Sequence, residues 1–376
     1  MSIYLDNAAT TPMDPSVFEA MKPYLLEHFG NPSSRHELGR KTRLAIENSR
    51  ASIAEHLKAL PEEIIFTSGG TEADNMALVS SVIYSKINHI ITTPFEHHAV
   101  LHTLNGLKKT HDLKVSYIQH DSKGNLDPDH LNYLLKIHPK NLVSVMHGNN
   151  EIGNLNNIQW IGETCRIHGA WFHTDTVQTM AHYEYDLKQL HTHFLAASAH
   201  KFHGPKGIGF LYCRKGTELS PLIQGGGQER ALRAGTENIA GIIGLARALE
   251  IGYSQMDKDR KYIQSLKDLM IHHLQNISPD VRFNGNSEVK EKSLYTVLSV
   301  NLPNTGIDWV SALDEQGIAV SGGSACSAGS NSHVLKALGV EMDRSTIRFS
   351  FSRFNTPEEI EVAARAFSSL LHTQAA

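Results

Sequence analysis

From about residue 60 to residue 215, short apolar runs alternate with amphipathic stretches. The runs are EEIIFTS (62–68), NHIITT (88–93), LKVSYIQ (113–119), LVSVMHG (142–148), AWFHTD (170–175), HFLAASA (193–199) and GIGFLYC (207–213). Each is short, rich in Ile, Val, Leu or Phe, and bounded by polar or turn residues, which reads as a buried strand. Between several of them lie stretches such as EADNMALVSSVIYS and NIQWIGETCRIHG, with apolar positions at helical spacing. Alternating strands and helices predict a mostly parallel sheet covered by helices, an α/β architecture. GPKG at 204–207 reads as a turn, so the last two strands are expected to pair as a hairpin.

Residues 238–276 read as one long helical region. After it come VRFNG, SLYTVLSVNLP, IAVSGGSA and TIRFSFS, strands mixed with two helical segments. That pattern predicts a smaller α+β unit, with the long helix as connector. No internal repeat or low-complexity tract interrupts the chain.

Composition narrows the function classes. The 376 residues are 40% hydrophobic and 20% charged, ordinary for a globular protein and long enough for two cores. A net charge of -4 offers no footprint for direct nucleic-acid binding or for an anionic membrane. No apolar run approaches the roughly 18–20 residues that span a bilayer. The start, MSIYLDNAATTPMD, lacks the basic and apolar segments of a targeting peptide. Cys165, Cys213 and Cys326 are too few and too scattered for a disulfide framework or a zinc ribbon, so the cytoplasm is the expected compartment. Histidine is abundant, at 23, with pairs at 97/98, 191/193 and 200/203. There is no HExxH and no His/Cys pair at zinc spacing, so no metal is expected.

Three segments carry candidate chemistry. In EEIIFTSGGTEADNMAL a strand ends at Thr67, a small-residue turn runs through Ser68, Gly69, Gly70 and Thr71, and a helix begins. Free N–H groups and the positive end of the helix suit a phosphate. An ordinary turn capped by Thr71 is the alternative. In HTDTVQT, Asp175 ends a strand on the face where parallel sheets bind ligands, either as partner to a cation or as a helix cap. In SAHKFHGPKGIGFLYC, Lys201 lies between a strand and a tight turn. A partly desolvated lysine with cationic neighbours has a lowered pKa and forms imines. Lys206 competes, but Lys201 stands at the strand end, where it and Asp175 can face one cleft. Cradle, lysine and carboxylate together match pyridoxal 5'-phosphate (PLP), which needs a phosphate site, a Schiff-base lysine and an acid for its ring nitrogen.

With these residues in view, the chain resembles the NifS/IscS class of cysteine desulfurases, within the aspartate-aminotransferase-like (fold type I) PLP enzymes. The likeness runs through YLDNAATTP (4–12), FGNPSS (29–34), FTSGGTEADN (66–75), EHHAV (96–100), NNEIG (149–153), HTDTVQT (173–179), SAHKFHGPKGIG (198–209), RAGTEN (233–238), SGGSACSAG (321–329) and IRFSFSRFNT (347–356). It implies a large PLP-binding domain over 15–260, with a seven-stranded sheet. It implies a small domain formed by 1–14 and 261–376, which carries a cysteine loop.

The resemblance also implies residue roles. Lys201 would hold the cofactor covalently. Gly70, Thr71, Ser198 and His200 would bind its phosphate, and Thr236 would reach the phosphate of a neighbouring subunit, making a homodimer. Asp175 would pair with the ring nitrogen, Gln178 would bond the 3-oxygen, and His97 would stack on the ring and shuttle protons. Asn150 and Arg348 would hold the carboxylate of L-cysteine; Arg353 is the competitor for the second role. Cys326, in a Gly/Ser/Ala loop suited to a travelling thiol, would take the sulfur as a persulfide and pass it to an acceptor protein. Cys165 and Cys213 would be structural.

Two features depart from the family. SAGSNSHVLKALG, after Cys326, is about two residues shorter than in IscS-like members and lacks their LEPS. The chain ends at SSLLHTQAA, without the tail with which housekeeping IscS proteins dock the iron–sulfur scaffold. A specialised sulfur donor, for example to tRNA or DNA thiolation, is thus as well implied as iron–sulfur assembly. A selenocysteine lyase or another fold type I PLP enzyme is the enzyme alternative. A sulfur carrier without catalysis is the alternative outside enzymes.

Overall fold

The computed structural model describes residues 2–303, 306–322, 332–340 and 344–373. Its centre is a seven-stranded sheet in the order Ile64–Thr67, Gly209–Cys213, Phe194–Ser198, Trp171–Asp175, Asn141–Ser144, His89–Thr92, Lys114–Tyr117. Gly209–Cys213 runs antiparallel to both neighbours; every other pairing is parallel. Each strand expected from the apolar runs is present, and six are trimmed by at most two residues at an end; the run at 142–148 instead forms Asn141–Ser144, starting one residue earlier and stopping four sooner. The expected hairpin forms, with Phe194 opposite Cys213 and Ser198 opposite Gly209. The inner strands Asn141–Ser144, Phe194–Ser198 and Gly209–Cys213 are buried at every position, as in a sheet covered on both faces.

Helix starts follow local chemistry. Asp127 caps Pro128–Lys136, accepting from the N–H groups of Asp129 and His130 with proline in the first turn. Asn238 caps the long helix Ile239–Ile277 through the N–H of Gly241.

That long helix joins two hydrophobic cores. Ile242, Leu245, Leu249 and Ile251 pack in the core of the seven-stranded sheet. Ile263, Leu266, Met270 and Leu274 pack in a second core with Leu5, Leu298, Ile347 and Phe367. The second core lies on an antiparallel sheet of Arg282–Phe283, Val297–Pro303 and Arg344–Ser350. The N-terminal strand Ile3–Tyr4 pairs with Ile318–Ala319, so the first residues of the chain pack with its C-terminal third. Among the described residues no helix is long and apolar enough to cross a membrane.

Candidate active site

The parallel strands of the large sheet end along one edge. The loops that follow Thr67, Thr92, Ser144, Asp175 and Ser198 surround a cavity of about 520 Å³, a size suited to a small-molecule ligand. Strand ends collect there because βαβ crossovers return every parallel strand in the same sense.

One end of the cavity is the turn before helix Gly70–Ile83. The helix is capped by Gly69 without a side-chain hydrogen bond, so the alternative of a Thr71 cap is not what forms. Its first N–H groups lack the usual side-chain acceptor. Glu72 accepts from Ser68 N at 2.7 Å and is held by Arg233 at 2.9 Å, which fixes the turn. A Cβ on Gly70 would lie 2.4 Å from Val177 Cγ2, so only glycine allows this approach. Ser198 and His200 line the same end. Burial first, then Lys201 and Lys206, push the His200 ring down to about 4, and its Nδ1 lies 3.1 Å from Thr10 Oγ1.

Asp175 and Lys201 both line the cavity. Asp175 Oδ1 accepts the N–H of Val177 at 2.8 Å, a local turn bond. Burial nonetheless raises its carboxyl to about 6, against the lowering effects of that bond and of Lys201. Lys201 closes a short 3-10 turn after Ser198, and its Nζ donates to the carbonyls of Ala8 and Ala9 at 2.7 and 2.8 Å. Gln178 Nε2 donates to Ala8 O at 3.0 Å. The N-terminal segment therefore lines the cavity through Ala8, Ala9 and Thr10, and Thr11 N bonds His200 O at 2.9 Å. Lys206 lines the cavity as well, but is exposed.

His97 caps helix His98–Thr110 by accepting the N–H of Ala99 at Nδ1, 3.1 Å away. That bond puts the proton of the neutral ring on Nε2. Burial first, then the charge of Lys201, push the ring down to about 4, so it is neutral at physiological pH.

The opposite wall is assembled from distant segments. Arg348, on Arg344–Ser350, is 1% exposed. It donates to Asp6 Oδ1 at 2.7 Å and to the backbone carbonyl of Asn150 at 2.8 Å. Its Nε has no partner among the described residues. Arg353 lies outside the cavity, bonded to Asp14 at 2.6 Å and Asp259 at 3.3 Å.

Thr236 is not in this cavity. It lines a neighbouring one of about 210 Å³ that shares Ser68 and Gly207 with the first. Cys326 lies outside the described residues. Cys165 and Cys213 are buried away from the cavity, with both thiols pushed up by burial. Sequence reasoning assigned no role to Asp6, Ala8, Ala9 or Asp74. All four fall within the motifs YLDNAATTP and FTSGGTEADN, which was the available signal.

The chain matches the family model of the class-V aminotransferases over residues 3–362. It is 44% identical over 367 residues to the cysteine desulfurase IscS of Dictyoglomus turgidum, covering 95% of this chain and 91% of that protein. A solved NifS-like protein superposes with a TM-score of 0.91 at 36% identity, covering 99% of this chain and 100% of the other. A structure of SspA in complex with cysteine superposes with a TM-score of 0.81 at 32% identity, covering 94% and 100%.

Proposed function

The chain belongs to the class-V aminotransferase family and acts as a cysteine desulfurase, and on that footing we propose how its own residues carry the reaction. The cavity suits pyridoxal 5'-phosphate. The uncapped helix start and the Gly70 approach fit a phosphate. A buried carboxylate raised to about 6 fits a partner that brings a cation, which a protonated ring nitrogen is. When bound, the cofactor supplies an electron sink for the pair left on the substrate carbon.

Gly70 and Thr71 would bind the phosphate through backbone N–H groups, with Ser198 and His200 beside them. Asp175 would face the ring nitrogen and Gln178 the 3-oxygen. Lys201, poised by the carbonyls of Ala8 and Ala9, would hold the cofactor and then take the α-proton of L-cysteine at Nζ. His97, whose Nδ1 is taken by the Ala99 N–H, would lie over the ring and exchange protons with it at Nε2. Arg348 and Asn150 would hold the substrate carboxylate. The guanidinium is already fixed by Asp6 and the Asn150 carbonyl, so its charge is held in place beside the cavity. Cys326 would take the sulfur. The substrate C–S bond breaks as an S–S bond forms at Cys326 Sγ, the electron pair stays with carbon, carbon is protonated, and alanine leaves. The persulfide then passes to an acceptor protein.

The observation that supports this most is the convergence of an amine, a buried carboxyl, a neutral imidazole and an arginine on one cavity. Cys326→Ala should abolish alanine release from cysteine while keeping the absorbance of bound cofactor. Full alanine production by that variant would refute the acceptor role.

A homodimer is part of the same reading. Thr236 faces a separate cavity, as a residue serving a second subunit's phosphate would. Phe18, Leu25, Leu26 and Phe29 are exposed, with Leu38 and Leu44 close in sequence, an apolar surface that a second copy would cover. Sedimentation of a Leu26→Glu variant as a monomer, with weakened cofactor binding, would support this. The division into a domain over 15–260 and a second over 1–14 and 261–376 is supported by the two cores that meet along Ile239–Ile277. Two reduced, buried cysteines suit the cytoplasm.

A further inference from the structure

Asp74 lines the same cavity and has no part in the reading above. It sits in the second turn of helix Gly70–Ile83 and is 1% exposed. Its Oδ1 lies 3.2 Å from Nε2 of His173, without the alignment of an imidazole N–H donation, and neither atom has another partner among the described residues. His173 stands two residues before Asp175 on one strand, so both side chains leave the same face of the sheet. Its Nδ1 lies 2.9 Å from Ser144 Oγ, on the adjacent strand at the paired position.

Three carboxyls share this region, and their donors differ. Glu96 accepts from Met146 N and Thr93 Oγ1. Asp175 accepts from Val177 N and has the Lys201 ammonium within reach. Asp74 Oδ1 has His173 alone. Burial first, then the charges of Asp175 and Glu96, hold the Asp74 carboxyl well above the usual carboxylate range. Burial pushes the His173 ring down to about 3, so it supplies no compensating cation. Glu96, pushed up by burial to about 8, is also protonated near neutral pH. Lys201 acts on Asp175 and His97, and is not among the charges that shift Asp74.

We propose that Asp74 is a positioning residue that stays a neutral carboxylic acid, donating its O–H to Nε2 of His173, so that Asp175 is the one carboxylate offered to the cofactor's ring nitrogen. This rests on the cofactor reading above. A carboxyl O–H can rotate about its C–O bond to point at Nε2, and an acceptor nitrogen admits an off-axis approach more readily than a ring N–H of fixed direction admits a misplaced acceptor. With Nε2 accepting, the ring proton is on Nδ1 and is donated to Ser144. The chain Asp74–His173–Ser144 braces the strand behind Asp175 without adding charge. An ionised Asp74 would put a second anion beside a single ring cation, at the desolvation cost of a buried unpaired charge.

Asparagine provides the test, because its amide is neutral and can donate to the same nitrogen. In cofactor-free protein near neutral pH, the infrared band of a protonated carboxyl should be lost on Asp74→Asn. Pyridoxal phosphate should bind Asp74→Asn within about 2-fold of wild type, with the pH midpoint of bound-cofactor absorbance moved by less than about 0.3 unit. Asp74→Ala, which strands His173 Nε2, should bind the cofactor roughly 10-fold more weakly. The proposal is overturned if Asp74→Asn loses no carboxyl band, or if it moves the midpoint by about 1 unit or more, as removal of a neighbouring charge would. Failure of the cofactor reading looks different. Asp175→Asn would then leave cofactor affinity untouched, while the infrared result, taken without cofactor, would stand.

Discussion

The two walls of the cavity are built by different means. One grows directly out of the seven-stranded sheet: Ser68–Thr71, His97, Asp175–Gln178 and Ser198–Lys201 each follow closely on the end of a buried strand. The other joins Asp6, Asn150 and Arg348, separated by hundreds of residues and tied by two hydrogen bonds of one guanidinium. The sheet wall inherits its geometry from a ladder of backbone hydrogen bonds. The arginine wall depends on how the second core sits against the first. The proposed cofactor roles fall on the sheet wall and the proposed substrate-carboxylate roles on the arginine wall. A permanently bound group suits a rigid wall. A substrate that comes and goes suits a wall that can settle around it.

Substitutions on the two walls should therefore fail in different ways. Lys201→Ala should cause the largest loss, about 10⁴-fold or more in alanine production, since covalent attachment and proton transfer both go. Its absorbance should show cofactor bound without the covalent link.

Arg50→Ala tests the support beneath the sheet wall. Arg50 bonds Ile64 O at 2.7 Å and Glu229 at 2.7 and 2.8 Å, and Glu229 accepts the N–H of Phe66 at 2.9 Å. Breaking this buried pair should cost about 3–5 kcal/mol in urea unfolding. A loss below about 1 kcal/mol would mean that the wall does not lean on it.

Arg348→Lys keeps the charge on the second wall and removes the fork. We expect a drop of about 10²-fold in kcat/KM, carried by KM, with cofactor affinity unchanged. A loss confined to kcat would erase the contrast between the walls.

The smallest effect concerns pH. The carboxyl of Asp175 is raised to about 6, so its charged fraction falls as pH drops through that value. Cofactor affinity of the cofactor-free protein should weaken by about 10-fold from pH 7 to pH 5. Asp175→Asn, with no charge to lose, should lack the component contributed by this group, and an identical pH dependence in both proteins would remove Asp175 from the account.

Much of the sheet wall was readable in the chain. FTSGGT, HTDTVQT and SAHKFHGPKG each set a buried strand against a polar turn, so Gly70, Asp175 and Lys201 announced themselves as strand-end residues. The arginine wall was readable only through family resemblance, because nothing local to Arg348 distinguishes it from Arg353. Packing separates them: Arg348 is drawn into the cavity by Asp6, while Arg353 is held outside it by Asp14 and Asp259. Thr236 shows the reverse, a motif residue that the fold of one chain leaves in a different cavity.

Periodicity and turn chemistry are decided between near neighbours, and the sequence alone therefore determined the strands, the long helix and the loops that bear the chemistry. Contacts between residues far apart in the chain exist only once two cores have packed. Tertiary structure alone thus set the Ala8 and Ala9 carbonyls on Lys201, the Asp6–Arg348–Asn150 link and the pairing of Asp74 with His173. The protonation of Asp74, Asp175 and His97 belongs to the same class, because exclusion of water is a property of the packed fold and not of any segment within it.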